Sequence, residues 1–493
     1  MRFPALALLA ALATPAAAQT LRVGIASDPN VLDPAQSTAY VERIVFTALC
    51  DRLVDVGPDL NFRPELATAW AWSDAGRTLT LTLRPDGRFH DGTLLDAAAV
   101  KVNLDRYRTA RESRRRTELA PVTAVEAPDP RTVVLRLSEP YAPLLSVLSD
   151  RAGMILSPNA LARLGERIRD EPVCSGPFRL TRRVAQDRLE MERFAEHWNA
   201  ANIHAARLVM LPIPDSTVRL VNLRSGQLDL IERVAPADLP ELARDRRLRV
   251  AEATSIAYQT LYLNVVTGAL RDPRLREALE LSLDRDIINA VALEGRFVPN
   301  NQPEAPGTPY HFADLPPPRR DLPRARALLR EAGQPDAAFT LLAPNLPVES
   351  QVAQIIQAMA GEAGFRVRVE TLESSAMVAR SERGQPYDVA MGIWSGRPDP
   401  DGNVAAWIAS DGFLNRMSYA NPAVDAAFVA ARRTTDPAAR RAAYHGAAEA
   451  WLRDRPLLIL YHYRWFWGMR AGMEGFEPAP DGLIRFAGLR LPR

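Results

Sequence analysis

Two kinds of hydrophobic pattern run along the chain, and they predict two kinds of element. Apolar and polar residues alternate in Thr78–Arg84 and again in Thr132–Leu137, as they do in strands with one buried face. Apolar residues recur at helical spacing in Tyr40–Leu53, which predicts an amphipathic helix. Because both patterns are interspersed along the whole chain, the sequence predicts an α/β fold.

Before residue 255, the predicted elements are short and mixed in type. Asp96 is a good N-cap and begins one predicted helix. The helices predicted here are Asp96–Tyr107, Pro158–Ile168 and Val218–Leu223. The predicted strands are Leu21–Ala26, Asp229–Glu232 and a pair formed by Gly176–Thr181 and Asp187–Arg193.

After residue 255, helical and strand patterns alternate, which favours a largely parallel sheet covered by helices. A long helix, Asp272–Glu294, is predicted to begin at the Asp272-Pro273 cap and to end at Gly295. The proline-rich loop Asn300–Pro318 is long enough to be functional or to wrap a surface. The other predicted helices are Leu322–Glu331, Glu349–Gly361, Ser375–Arg383, Ala423–Arg433 and Pro437–Trp451. The predicted strands are Ala257–Asn264, Phe339–Ala343, Phe365–Thr371, Tyr387–Trp394 and Leu457–Tyr463.

A charged loop follows the predicted strand Tyr387–Trp394. Glycine and proline occupy positions 396, 398, 400 and 402, so no regular element is expected there. The loop therefore displays Trp394, Arg397, Asp399 and Asp401 at a strand's end, where open α/β domains bind ligands. The alternative is a turn that caps the strand, with the two carboxylates bonded to local amides.

The first eighteen residues have the pattern of a secretory signal peptide. Arg2 precedes a short apolar run, and Ala16-Ala17-Ala18 supplies the small residues of a cleavage site. Gln19 follows, rather than a cysteine that could carry a lipid. No later stretch is apolar enough to span a membrane. We therefore predict a soluble protein exported to the periplasm without a lipid anchor.

Composition and charge exclude some classes of function. The chain has 493 residues, and because 47% of them are hydrophobic it can form sizeable cores. Its formal net charge is only +2, so nucleic acid is not an expected partner. The basic run Arg111–Arg116 is interpreted as a solvated face. The cysteines Cys50 and Cys174 form either one disulfide or two buried thiols, and the oxidising periplasm permits the bridge.

The sequence contains no sign of an enzyme or of a resident cofactor. We find no Gly-x-Ser-x-Gly elbow and no His-Glu-x-x-His zinc helix. The six histidines are scattered, without a pair at four-residue spacing, so no direct metal site is expected. A chelated metal, bound through its anionic ligand, stays open.

Several segments together carry a resemblance to a known family. They are Leu66–Arg84, Phe89-His-Asp-Gly-Thr, Gly176-Pro-Phe-Arg-Leu, Trp198-Asn199, Asp272-Pro-Arg-Leu-Arg-Glu-Ala-Leu with Asp284-Arg285, Ala325–Gly333 and Tyr387-Asp to Asp399-Pro400. In number, order and spacing they make the chain resemble the family 5 extracellular solute-binding proteins, the oligopeptide, dipeptide and nickel class that feeds ABC importers.

The resemblance implies a two-lobed periplasmic-binding-protein fold, type II-like, with mixed sheets and an extra inserted subdomain. Lobe I would comprise residues 19–58, 172–255 and 468–493, and the inserted subdomain residues 59–171. Lobe II would comprise residues 256–467, with hinge crossings near Ser255 and Trp467.

The implied function is the substrate-binding component of an ABC transporter. A monomer would capture a peptide or an anionic, peptide-like solute between its lobes and deliver it to the permease in the inner membrane. Two alternatives stay open: a ligand that is a chelated metal or an opine or sugar conjugate, and a periplasmic sensor or chaperone without a transport role.

One position departs from the family's pattern. In its peptide-binding members, the third residue after the tryptophan is an aspartate that holds the peptide's ammonium, whereas here it is Arg397. A guanidinium favours a carboxylate or phosphate, so we expect an anionic group on the ligand. Asp399 could still supply a negative group. The alternative is that Arg397 pairs with Asp399 or Asp401 inside its own loop.

Other candidate ligand contacts are suggested by their positions near the implied hinge crossings and the loop. Trp394 would form an apolar wall of the site, or else belong to the core. Further candidates near the two crossings and the loop of the second lobe are Tyr258, Asn264, Asn415, Arg416 and Trp465. For the aromatic residues among them, ordinary packing is the alternative.

Overall fold

The computed structural model describes residues 19–372, 374–412 and 414–492, so the predicted signal peptide lies outside the described residues. The strands are β1 (Thr20–Ile25), β2 (Val54–Val56), β3 (Phe62–Pro64), β4 (Ala67–Ser73), β5 (Thr78–Leu83), β6 (Val122–Asp129), β7 (Thr132–Leu137), β8 (Phe178–Val184), β9 (Arg188–Arg193), β10 (Arg207–Pro212), β11 (Leu230–Ile231), β12 (Leu248–Leu263), β13 (Val298–Pro299), β14 (Ala338–Pro344), β15 (Arg366–Leu372), β16 (Val389–Trp394) and β17 (Leu457–Arg470).

The α-helices are distributed between these strands. They are α1 (Tyr40–Leu49), α2 (Ala97–Thr109), α3 (Leu144–Leu148), α4 (Pro158–Leu164), α5 (Ser216–Arg224), α6 (Leu239–Arg244), α7 (Pro273–Ser282), α8 (Arg285–Ala292), α9 (Leu322–Glu331), α10 (Pro347–Ala363), α11 (Ser374–Arg380), α12 (Ala406–Ile408), α13 (Pro422–Arg432) and α14 (Pro437–Asp454). The predicted α/β fold with mixed sheets is confirmed.

One large sheet extends through the molecule. Eleven strands of the described chain belong to it, in the order β15-β14-β16-β12-β17-β11-β1-β10-β9-β8, with β13 paired to β17. The long strands β12 and β17 are antiparallel and join two half-sheets. In one half β1 is parallel to β10 and β11, and in the other β14 is parallel to β15 and β16.

The junction of the two halves lies within β12 and β17. Their register shifts between Thr254 and Tyr258, opposite the stretch from Arg464 to His462. Trp467 packs into the core of the first half, whereas Tyr461 packs into a core of the second half. The change from one core to the other therefore falls near Tyr463 in β17 and near residue 255 in β12.

A separate four-stranded sheet covers one side of the first half. Its order is β4-β5-β7-β6, with antiparallel neighbours. The alternating leucines of β5, Leu79, Leu81 and Leu83, are fully buried in a core of their own together with α2. The strict alternation in the sequence thus produces the half-buried strand that it predicts.

Most predicted helices differ from the structure by a few residues in their bounds, and two of these differences have a clear local cause. The segment Asp272–Glu294 forms two helices, α7 and α8, because the Asp284 side chain accepts a hydrogen bond from the Ile287 amide and begins a new helix. The first helix ends at Leu49 rather than Leu53, since Cys50 has an extended backbone. The sulfur atoms of Cys50 and Cys174 are joined, which ties the end of α1 to the segment before β8.

The proline-rich loop Asn300–Pro318 wraps the second half. Phe312 is 4% exposed and belongs to the core under α13 and α14. The Gln302 side chain donates to the carbonyls of Phe312 and Leu315, which holds the loop on itself. The loop thus lies over the core and also reaches the charged segment after β16, where the Pro303 carbonyl accepts from Asn403.

Candidate ligand-binding site

A cavity of about 300 Å³ lies where the loop after β16 faces the segment from Thr117 to Asp150. This segment belongs to the unit built around the four-stranded sheet, so the cavity separates two parts of the molecule. The charged and aromatic residues that line it are Glu118, Glu139, Tyr141, Asp150, Trp394, Arg397, Asp399, Asp401, Asp411 and Arg432. Three predicted site residues, Trp394, Arg397 and Asp399, are therefore brought together in one wall.

Backbone contacts fix the course of the loop after β16. Gly396 has a φ of +76°, and a Cβ atom there would lie 2.4 Å from the Ile256 carbonyl oxygen. Only glycine tolerates both the left-handed backbone and this close approach. The Arg397 amide donates to the Asn403 side chain, and a π-helical turn, Asp401–Ala405, begins directly after Pro400. The loop is thus shorter than predicted, because a helical turn begins inside it.

The two aspartates of the loop are each paired with an arginine of a neighbouring helix. Asp399 is 4% exposed, and both of its oxygens accept hydrogen bonds from Arg440 of α14, at 2.8 and 2.9 Å. Asp401 accepts from Arg432 of α13. Burial raises the pKa of Asp401, while Arg432 acts in the opposite direction. These carboxylates attach the loop to α13 and α14.

Arg397 takes a different partner from its neighbours. Among the described residues its ion pair is with Asp150, at 3.5 Å between Nε and Oδ2, and not with Asp399 or Asp401. The alternative prediction, an ion pair between Arg397 and an aspartate of its own loop, is therefore wrong. Its Nη1 donates to the Gly396 carbonyl, and the guanidinium lies 4.8 Å from the centre of the Trp394 ring. Burial lowers the pKa of Arg397 below its usual value.

Asp150 is surrounded by guanidinium groups, and the sequence patterns do not predict this cluster. Arg43 of α1 donates from Nε to Oδ1 at 3.2 Å, and Nη1 of Arg151 lies 3.8 Å from Oδ2. Arg115 lies behind them, 4% exposed, and donates to Glu118 and to the Ser37 carbonyl. The interpretation of Arg111–Arg116 as a solvated face is thus wrong for Arg115, which alternation within the run turns inward.

Direct contacts also join the two sides beside the cavity. The Tyr141 hydroxyl donates to Asp401 Oδ2 at 3.2 Å, and the Ala142 amide donates to the Arg432 carbonyl at 2.8 Å. Arg433 lies 3.7 Å from Glu139. The segment from Glu139 to Asp150 therefore touches the loop after β16 and α13 through both side chains and backbone.

Three of the predicted site residues are occupied with contacts inside the second half. Tyr258 is fully buried and donates to the Asn403 carbonyl, which supports the loop from below. Asn264 accepts from the amides of residues 266 and 267, as a turn cap does. Asn415 donates to the carbonyls of Ala409 and Tyr419. None of the three lines the cavity described above.

Arg416 and Trp465 also lie away from this cavity. Arg416 lies over the rings of Tyr262 and Trp407 and donates to the Ser381 hydroxyl. Trp465 stacks between Tyr40 and Tyr463, and its indole nitrogen donates to a backbone carbonyl. Trp465 thus marks the junction of the two half-sheets.

Neither a metal cluster nor a membrane helix is found in the part of the chain that the structure describes. No three histidine, cysteine, aspartate or glutamate side chains lie close enough there to hold a metal ion. Over the same residues, no helix combines the length and the apolar character that crossing a bilayer requires.

Two half-sheets joined by two long crossing strands, with a charged cavity at the edge of the second half, define a two-lobed binding protein. The model of the bacterial extracellular solute-binding proteins, family 5, matches residues 61–415. The chain therefore belongs to this family of binding proteins.

Individual relatives agree with this assignment over nearly the whole chain. The glutathione-binding protein GsiB of Salmonella paratyphi A is 28% identical over 478 residues, 94% of this chain and 93% of the relative. The ABC transporter-associated periplasmic binding protein DppA of Helicobacter pylori, solved with the peptide STSA, has a TM-score of 0.85 at 22% identity, over 96% and 98% of the two chains. AgaA of Agrobacterium tumefaciens, solved with agropinic acid, has a TM-score of 0.84 at 23% identity, over 96% and 99%.

Proposed function

We propose that the protein is the periplasmic substrate-binding component of an ABC importer and that it captures a peptide-like solute with an anionic group. The observation that carries the proposal is the environment of Arg397. It lines the cavity with an 18% exposed side chain, while the acidic neighbours in its own loop are paired with other arginines.

An arginine in this place favours a carboxylate on the ligand. Its guanidinium is planar and forms two parallel hydrogen bonds with a carboxylate, which adds geometry to the charge. Trp394 supplies an apolar face beside it. The relatives' names agree with small solutes that carry carboxylates, since they mention glutathione, a peptide and agropinic acid. The last of these keeps opine-like conjugates as a second candidate class.

The proposed mechanism is a shift between an open and a closed form. Lobe I is assigned to residues 19–58, 172–255 and 468–493, the inserted subdomain to 59–171 and lobe II to 256–467, although Trp467 at the second crossing packs into the core of the first half. The register shift near residue 255 supports a hinge there. A ligand that contacts both sides favours the closed form, which the permease then recognises. In this account the chain acts as an exported monomer without catalysis, and ATP is hydrolysed by a partner.

Thermal melting against a panel of ligands tests the proposal. The panel contains free peptides, amine-blocked peptides, glutathione, opine-like amino acid–sugar conjugates and nickel with chelators. A ligand at one hundred times its dissociation constant adds about 2.7 kcal/mol of stability, which is a clear shift in Tm. We expect carboxylate-bearing compounds to raise the Tm of the wild type and to lose this effect in Arg397→Met.

Arg453→Met is the matched control, because Arg453 is 74% exposed and lies outside the cavity. It should respond to the panel as the wild type does. A panel in which no peptide-like compound raises the Tm would contradict the proposed function. Equal shifts in Arg397→Met and in the wild type would contradict the role of Arg397.

A further inference from the structure

The ion pair between Arg397 and Asp150 joins the two sides of the cavity. Both residues line it, and Asp150 is 7% exposed. Asp150 Oδ1 accepts from Arg43, but no described group donates a hydrogen bond to the buried Oδ2. Most buried polar side-chain atoms have a hydrogen-bond partner, whereas Oδ2 has only the longer ion-pair contacts to Arg397 and Arg151, at 3.5 and 3.8 Å. Beside a cavity, such an oxygen leaves a place for a ligand's donor.

The groups around Asp150 keep it ionised. Burial by itself would raise the pKa of Asp150, but the guanidinium groups of Arg43, Arg151 and Arg397, with Arg115 behind them, lower it well below its usual range. Glu118 pairs with Arg115 and is the other carboxylate of this cluster that lines the cavity. At neutral pH the cavity therefore presents a negative charge at Asp150 directly beside the positive charge of Arg397.

This proximity limits what an anionic ligand can be. A carboxylate bound to Arg397 would lie within several ångströms of Asp150, since Nε and Oδ2 are 3.5 Å apart. Two like charges about 4 Å apart repel by about 4 kcal/mol at the effective dielectric constant of a protein surface, and Arg43 and Arg151 beside Asp150 offset a part of this repulsion. A ligand that also carries a cationic donor removes this repulsion and supplies the hydrogen bond that Oδ2 lacks.

We propose that the ligand presents an α-amino-acid head group whose carboxylate binds Arg397 and whose ammonium binds Asp150. The inference rests on the proposed function and narrows its ligand class to zwitterionic head groups. The ligand then takes the place of the direct ion pair, so that both charges keep a partner. Asp150, on the opposite side of the cavity from the loop, becomes the residue that selects the free amine.

Titration calorimetry with matched compounds tests the assignment. Glutathione and γ-glutamylalanine, which both carry a free α-amino-acid head group, are each compared with their N-acetyl derivatives, which keep the carboxylates and lose the ammonium. For the wild type we expect N-acetylation to weaken binding at least tenfold. In Asp150→Asn the free-amine compound should bind at least tenfold more weakly than in the wild type, and N-acetylation should change its affinity less than threefold.

Asp336→Asn is the control, because Asp336 also pairs with an arginine but is 66% exposed and lies outside the cavity. It should keep the tenfold preference for the free amine. The wild-type comparison stands even if Asp150→Asn fails to fold. Equal affinity for free and N-acetylated compounds would overturn this inference and leave the proposed function intact. No binding of any of the four compounds would contradict the peptide-like function itself and the inference with it.

Discussion

Arg397 and its neighbours Asp399 and Asp401 belong to one short loop but form different kinds of contact. The two aspartates are paired with Arg440 and Arg432, which belong to helices of the same half of the molecule. Arg397 has its ion pair with Asp150 on the other side of the cavity. The two carboxylates therefore hold the loop in place, while the Arg397 guanidinium is the charge that the loop presents to the opposite side of the cavity.

The largest effect is expected from breaking a pair that holds the loop. Asp399→Asn leaves Arg440 buried without its counter-charge, and removal of one partner of a buried pair costs about 3–5 kcal/mol. Urea unfolding measures this loss of stability. The exposed Asp411→Asn should change the free energy of unfolding by less than about 0.5 kcal/mol. Similar losses for both variants would show that the pair with Arg440 does not hold the loop.

A smaller effect on stability and a larger one on binding are expected for Arg397→Met. Asp150 keeps Arg43 and Arg151 beside it, so the fold retains a counter-charge there. Hydrogen bonds to charged groups contribute about 1.5–3 kcal/mol, which corresponds to an affinity about 10–150-fold lower for a carboxylate ligand. Calorimetry and urea unfolding on the same sample separate the two effects. A loss of stability as large as that of Asp399→Asn would place Arg397 among the residues that hold the loop.

The hydrogen bond from Tyr141 to Asp401 connects the two sides and is expected to have a modest effect. Tyr141→Phe removes about 1 kcal/mol from the contact between the two sides of the cavity, so the affinity for a ligand held between them should fall about fivefold. Tyr419→Phe is the matched control, because the Tyr419 hydroxyl donates to Asp454 within the second half. It should lower stability without lowering affinity. If both variants lose affinity equally, the contact across the cavity has no special part in closure.

An effect that depends on pH is expected from a carboxyl group next to the loop. Glu304 accepts a hydrogen bond from Asn403, and burial raises its pKa to about 8 from an ordinary value of 4.5. The folded state thus keeps this proton over a range in which the unfolded chain releases it. This contribution to stability is complete below pH 4.5 and is lost as the pH rises through about 8.

Glu304→Gln should lack this part of the pH dependence. In urea unfolding, the wild type should lose stability relative to the variant between pH 5 and pH 8. A difference between the two proteins that is the same at both pH values would show that the pKa of Glu304 is not raised.

Local patterns predicted elements well where the segment's own chemistry decides its structure. Helix α9 has the predicted bounds, because Asp321 caps it and its apolar residues recur at helical spacing. Helices α7 and α8 were predicted as one, since the apolar pattern continues through Leu283 and does not reveal that Asp284 caps a new helix. The pattern does not predict strand β10, whose pairing with β1 is distant in sequence. It does not predict β6 either, although β6 forms a hairpin with β7, because its apolar and polar residues do not alternate strictly.

In the candidate site, too, the features set by local sequence are predictable and those set by distant residues are not. Arg397 was identified because a strand followed by glycine and proline displays it and because its charge departs from the family's pattern. Its partner could not be predicted, because Asp150 lies almost 250 residues earlier and carries no local motif. A role in ligand binding stays a prediction for Asn264, Asn415 and Trp465. The two asparagines form hydrogen bonds with neighbouring backbone groups, and Trp465 stacks on a neighbouring ring.

The central claim is tested directly by a crystal structure of the complex with one panel compound, the one that gives the largest rise in Tm. The account predicts a ligand carboxylate within hydrogen-bond distance of the Arg397 guanidinium, with Asp399 still paired to Arg440. A ligand bound elsewhere, with Arg397 still paired to Asp150 as in the structure described here, would contradict it.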